Sequence, residues 1–80
     1  MATKVIDRQS FISFIDALHS EYMSSGGTWE NPTLDRFMEA MSAYAKDIQG
    51  YYNNTSQDIN ADFPSWKVFA DILRGAAIYQ

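Results

Sequence analysis

The sequence predicts an all-α fold, a small three-helix bundle, with residues 1–80 forming a single helical domain. Three stretches carry apolar residues at helical spacing, and each is preceded by residues that start helices. The third observation is the aromatic content: two Trp, five Tyr and five Phe in eighty residues. Such side chains bury large areas, so a few of them fill the middle of a short chain.

The first stretch begins near Asp7. Phe11, Phe14, Ile15, Leu18 and Tyr22 follow one helix face. Asp7 or Ser10 can cap the first turn, and Gly26-Gly27 supplies a stop. The spacing predicts a helix near residues 8–24.

The second stretch opens at Asn31-Pro32, a favoured cap followed by a residue pre-organised for the first helical position. Leu34, Phe37, Met38, Met41, Tyr44, Ala45, Ile48 and Tyr52 form a broad apolar stripe, predicting a helix near 32–52. Trp29 can pack back on its first turn in the manner of a hydrophobic staple.

The third stretch opens at Phe63-Pro64-Ser65, with Pro64 at the first helical position or Ser65 as cap. Trp66, Phe69, Ala70, Leu73 and Ala77 keep helical period, predicting a helix near 64–78. Gly75 weakens a helix, but it also allows another helix to come close. Ile72, Ala76 and Ile78 widen the apolar surface, so this helix is expected to be contacted on two sides. The expected core holds Phe14, Leu18, Phe37, Met41, Ile48, Trp66, Phe69 and Leu73.

A chain of this length buries only about 60–65% of its unfolded surface, so its stability margin is thin. There is no cysteine, which removes disulfides, thiolate nucleophiles and thiolate metal sites. No apolar run approaches the roughly 18 residues of a membrane span. Residues 1–8 lack the apolar segment of a signal peptide, so a cytoplasmic location without membrane association is expected. The net charge is −4, and the six cations Lys4, Arg8, Arg36, Lys46, Lys67 and Arg74 stand singly. Nucleic acid requires clustered cations, so it is not an expected partner.

Motifs for chemistry are weak. Asp58-Ile59-Asn60-Ala61-Asp62 resembles the start of a calcium loop, but Phe63 stands where the sharp turn needs Gly. Phe69 stands where the bidentate Glu belongs, so the segment reads as a surface loop whose Asp62 helps start the third helix. His19 is the only histidine, with Asp16 one turn earlier, which is too few ligands for a closed metal site. No Ser occupies a nucleophile elbow, and Gly26-Gly27 precedes no phosphate-loop lysine. Asp35 and Glu39 lie one turn apart, hinting at an acidic contact patch rather than acid–base work. Asn53-Asn54-Thr55-Ser56 contains two overlapping glycosylation sequons, which carry no meaning without secretion. Catalysis, a metal and a cofactor are accordingly not expected.

Longer-range order is also present. Trp29-x-Asn31-x-x-Leu34 is followed by Asp47-x-x-Gly50-Tyr51-Tyr52 and then by Pro64-Ser65-Trp66-x-x-Phe69-Ala70-x-Ile72-Leu73-x-x-Ala76-x-x-Tyr79. This layout, over roughly residues 7–79, resembles a family of small bacterial domains of unknown function. The resemblance implies no activity, and its motif residues are caps, glycines and aromatics.

The expected function is a non-catalytic protein-binding module, of the kind found among bacterial immunity proteins that neutralise a cognate toxin through an acidic surface. Its partner would be a protein, such as a basic toxin domain. The candidate contact residues are Glu30, Asp35, Glu39, Asp58 and Asp62, with Tyr51 and Tyr52 as aromatic anchors where exposed. The alternative is a structural or assembly domain that forms a homodimer through the third helix, using Ile72, Leu73, Ala76, Ala77 and Ile78.

Overall fold

Each helix begins where a side chain can accept from its unpaired amides. The computed structural model describes residues 4–25 and 29–78. It contains α1 (Arg8–Ser25), α2 (Leu34–Asn54) and α3 (Trp66–Ile78), and no strand among the described residues. The expected helices are all present, with ends shifted by at most two residues. The expected stop of α1 at Gly26-Gly27 lies outside the described residues, as does Tyr79.

Asp7 caps α1. Its Oδ1 accepts from the Ser10 amide at 2.8 Å, while the Ser10 Oγ accepts from the Asp7 amide at 3.1 Å. This reciprocal arrangement works like a capping box. The hydrogen bonds from Ser10 hold the Asp7 carboxyl below its ordinary value of 3.8. The stabilisation is therefore present above that value and fades as pH falls through the lowered one.

At α2 the sequence reading needs correction: Thr33 is the cap, and Asn31 is not. The Thr33 Oγ1 accepts from the Arg36 amide at 3.3 Å. Asn31 is used elsewhere, its Nδ2 donating to the Ala76 carbonyl at 3.0 Å near the end of α3. Trp29 does pack on the first turn, its ring 6.1 Å from that of Phe37. At α3 Ser65 is the cap, accepting from the Val68 amide at 3.1 Å. Asp62 does not take that role. Its amide donates to Asn60 Oδ1 within the preceding turn.

Gly50 does not end α2, which continues to Asn54. The stop comes from Ser56, at φ 58°, with its amide on the Asn53 carbonyl and the Gln57 amide on that of Tyr52. This is the left-handed closing turn in which Gly usually stands. Gln49 then pins the following loop from both ends of its amide. Its Nε2 donates to the Ile59 carbonyl at 2.9 Å, and its Oε1 accepts from the Ala61 amide at 2.7 Å.

The packing has a simple plan. α3 lies between the other two helices and contacts both, the larger contact being with α2. No Cα of α1 comes within 8 Å of a Cα of α2. The expectation of a third helix touched on two sides is what the structure shows. Ala40 of α2 and Ala70, Ala76 and Ala77 of α3 are all buried, so small residues make up much of the interior. Gly75 permits a close approach: a Cβ there would collide with three atoms of the Tyr44 ring.

The core differs from the expected one. Leu18 and Ile48 are buried as predicted, but Phe14, Phe37, Met41 and Leu73 are only half-buried. Trp66 and Phe69 are exposed, at 37% and 42%, so the two largest side chains expected at the start of α3 are not core. Their places are taken by Val68 and by Tyr52, which is 0% exposed. Ile48, Tyr52 and Val68 form the central cluster, with Tyr44, Ile59, Ala61 and Ile72 packed around it. Tyr52 can be buried because its hydroxyl donates to Asp71 Oδ2 at 2.7 Å. Lys67 reaches the same oxygen at 2.6 Å and lies over the Tyr52 ring.

The two helical glycines should respond oppositely to alanine. Gly50 has open space at its Cβ position, so Gly50→Ala should stabilise the chain by about 0.5–1 kcal/mol through helix propensity. Gly75→Ala must displace the Tyr44 ring and should destabilise by about 1–3 kcal/mol despite the same propensity gain. Urea titrations of both variants measure this directly.

Burial first, and the Asp71 carboxylate second, push the Tyr52 phenol well above its ordinary value of 10.0. A raised phenol contributes stability in full below pH 10, and that contribution is lost as pH climbs towards the raised value. Stability should therefore decline above pH 10. Tyr52→Phe should lower stability at pH 7 by about 1–3 kcal/mol by removing the bond to a charged group. It should also flatten the alkaline decline, leaving the part due to Tyr44, whose phenol burial also raises.

Candidate functional site

Because α1 and α2 both rest on α3 and not on each other, a groove opens between them. Its volume is about 440 Å³. Ile15, Leu18, His19 and Tyr22 form the α1 wall, and Leu34 and Phe37 form the α2 wall. Leu73 of α3 also lines it, as do Trp29 and Pro32 from the connection between α1 and α2. The lining is apolar apart from His19, Asn31 and Thr33 and the Tyr22 hydroxyl. Three of those polar groups already have work, with Asn31 held by Ala76, Thr33 capping α2 and the Tyr22 hydroxyl donating to the Pro32 carbonyl.

The connection is held firmly at one end of the groove. The Tyr22 hydroxyl donates to the Pro32 carbonyl at 2.8 Å, and the Tyr22 and Trp29 rings meet edge to face at 5.1 Å. Arg74 of α3 places one nitrogen 3.0–3.1 Å from both oxygens of Glu21 and lies over the Phe14 ring. This half-exposed pair ties α1 to α3, though such pairs contribute only about 0–1 kcal/mol.

The groove has exposed apolar shoulders. On the α2 side Leu34 is 74% exposed and Met38 59%. On α1, Ile12 and Met23, each one helical turn from a wall residue (Ile15 and His19), are exposed as well. Beside these shoulders stand exposed acids. Asp35 and Glu39 each follow a shoulder residue of α2, and Asp16 lies one turn after Ile12.

The acids named from sequence therefore fall into two groups. Glu30, Asp35 and Glu39 are exposed near the groove, Glu30 standing between the lining residues Trp29 and Asn31. Asp58 and Asp62 are exposed on the loop that Gln49 holds, and Gln49 itself lies ten residues, or about 15 Å of helix, beyond Glu39. The tyrosines separate too. Tyr51 is 43% exposed, with its ring against Tyr44 and Tyr52. Tyr52 is fully buried, so it cannot serve as an exposed anchor.

A second apolar surface joins the starts of α1 and α3. Phe11 packs on Trp66 at 5.3 Å and on Phe69 at 6.4 Å. Trp66 and Phe69 remain partly exposed there, with Ile6 and Phe63 at 69% and 70%. Sequence reasoning placed Trp66 and Phe69 inside and named neither surface. The available signal was the width of the α2 stripe, since Leu34 and Met38 extend past the face that α3 can cover.

Among the described residues, no three His, Asp or Glu side chains come together in a group able to hold a metal ion. No helix among them is long and apolar enough to cross a membrane. A family model described as a family of unknown function, DUF7660, matches residues 7–80. No curated protein and no solved structure matches the chain.

The half-exposed setting of Trp66 sets the size of its effect. Trp66→Ala should cost less than about 3 kcal/mol, below the range for a buried aromatic, and leave the chain folded. Thermal unfolding followed by far-UV dichroism checks it.

Proposed function

The chain belongs to the DUF7660 family, a family of unknown function, and we propose that it is a non-catalytic protein-binding module whose contact surface is the α1–α2 groove. The open apolar groove with exposed shoulders and flanking acids carries this reading. Contiguous exposed apolar surface rimmed by polar residues marks interaction sites. The partner is a protein with a basic contact face, because Glu30, Asp35 and Glu39 would steer it and the whole chain carries −4. A bacterial immunity protein that masks a basic toxin domain in the cytoplasm fits this reading. The acids near the groove would set the rate of encounter, and the apolar walls would hold the complex.

The partner is to be sought first in the product of a neighbouring toxin gene, by co-expression and rescue of growth. With that partner in hand, Asp35→Lys combined with Glu39→Lys should slow association at least about tenfold at low salt. Both sites are exposed, so the chain should stay folded, with a loss of about 1–2 kcal/mol that comes mainly from Asp35 in the first turn of α2. Unchanged association at low salt would remove this surface from the interface.

The exposed aromatic surface at the start of α3 favours a second reading, self-association through that helix. Most of the residues that motivated it from sequence are used within the chain: Gly75, Ala76 and Ala77 are buried and Ile72 and Leu73 are half-buried, while Ile78 stays exposed at 64%. Trp66 and Phe69 would carry such a contact instead. A dimer mass in light scattering that reverts to monomer in Trp66→Ala is the expected result for this reading. A monomeric mass at high concentration discards it.

A further inference from the structure

We infer that the α1–α2 groove takes one short amphipathic helix from the partner, with Lys or Arg beside its apolar face, and that this helix completes a four-helix arrangement. The inference rests on the protein-binding reading above and names the partner's element. Helices bury an apolar face against neighbours at about 8–10 Å between axes, so two helices held apart on a shared third leave a slot that a fourth can fill. That is the plan of this chain, in which α3 contacts α1 and α2 and these do not approach each other.

The slot has the features of a helix receptor. Its floor and walls are apolar but for His19 and the Tyr22 hydroxyl, and Trp29 and Pro32 line it at the end where α1 is connected to α2. The wall residues Ile15, Leu18 and Tyr22 span about two turns of α1, which suits apolar anchors of a ligand helix spaced at i, i+4 and i+7. Met23 and Met38 stand on opposite shoulders, and flexible thioether side chains adapt to the ridges of a helix. Asp16 flanks the α1 shoulder, and Asp35 and Glu39 flank the α2 shoulder. A helix seated between them meets one acid at the α1 edge and two at the α2 edge, so cations on its flanks are complementary. A second copy of this chain would bring its own −4 charge to the same acids, which disfavours it as the occupant.

The test uses the full chain, isotope-labelled, and three synthetic twelve-residue peptides of Leu, Ala and either Lys or Glu. The first places leucines on one helical face with lysines beside them. The second has the same composition in scrambled order. The third replaces Lys with Glu. The first should bind saturably, gain helicity, and shift the Trp29 indole and the amides of Ile15, Leu18 and Phe37. The scrambled and acidic peptides should bind at least tenfold more weakly. Leu34→Ser with Met38→Ser should weaken the first peptide at least fivefold while its thermal transition stays in place, since both residues are exposed.

Equal binding of the first two peptides would overturn the inference, because charge alone would then account for it. Shifts centred on Trp66 and Phe69 would overturn it as well, by moving the seat to the other apolar surface. Failure of all three peptides, with a partner that still depends on Asp35 and Glu39, defeats the helix and leaves the protein-binding reading standing. A partner indifferent to those two acids defeats the protein-binding reading itself.

Discussion

The structure depends on α3 being packed on two sides at once. It is only thirteen residues long, yet it supplies the wall against which both other helices bury their apolar faces. Small side chains make this possible. Gly75, Ala76 and Ala77 are consecutive and buried, so the helix presents little bulk over that part of its circumference near its end. Tyr44 of α2 lies against Gly75 where any Cβ would collide with its ring. Everything else follows from that shared wall: the central cluster on the α2 side, the aromatic and ionic ties on the α1 side, and the gap between α1 and α2.

Polar groups fix the register of this packing. The hydroxyl of Tyr52 and the ammonium of Lys67 meet on one oxygen of Asp71, joining the end of α2 to the start of α3. Asn31 fastens the first connection to the Ala76 carbonyl, and Gln49 fastens the second connection through both of its amide atoms. In a chain that buries little surface, such bonds matter more for choosing one arrangement than for total stability. They also hold the walls of the groove in place, because Tyr22 and Pro32 close its end through a hydrogen bond rather than by packing alone.

The helices were legible because 3.6-residue periodicity and local caps are properties of short segments. Asp7, Ser65 and the staple by Trp29 are where local chemistry and tertiary structure agree. Asn31 was misread for the opposite reason, since a partner forty-five residues away recruits its side chain. The core was less legible. Size and hydrophobicity drew attention to Trp66 and Phe69, but position in the bundle decides burial. Alanines at 70, 76 and 77 lie inside although they are small. Tyr52 reads as an amphipathic surface candidate until Asp71 is seen to satisfy its hydroxyl. The groove was out of reach, because it is defined by a pair of helices that do not meet.

That non-meeting of α1 and α2 is also what the functional reading stands on, and the absence of cysteine from the chain gives a clean background in which to measure it. A disulfide requires Cα atoms within about 7 Å, and no α1–α2 pair is that close. The variant carrying Ile15→Cys and Phe37→Cys places one thiol on each wall of the groove. Under mild oxidation both thiols should remain free within the monomer. Rapid formation of an intramolecular disulfide would contradict the open groove, by showing that α1 and α2 close on each other in the free chain.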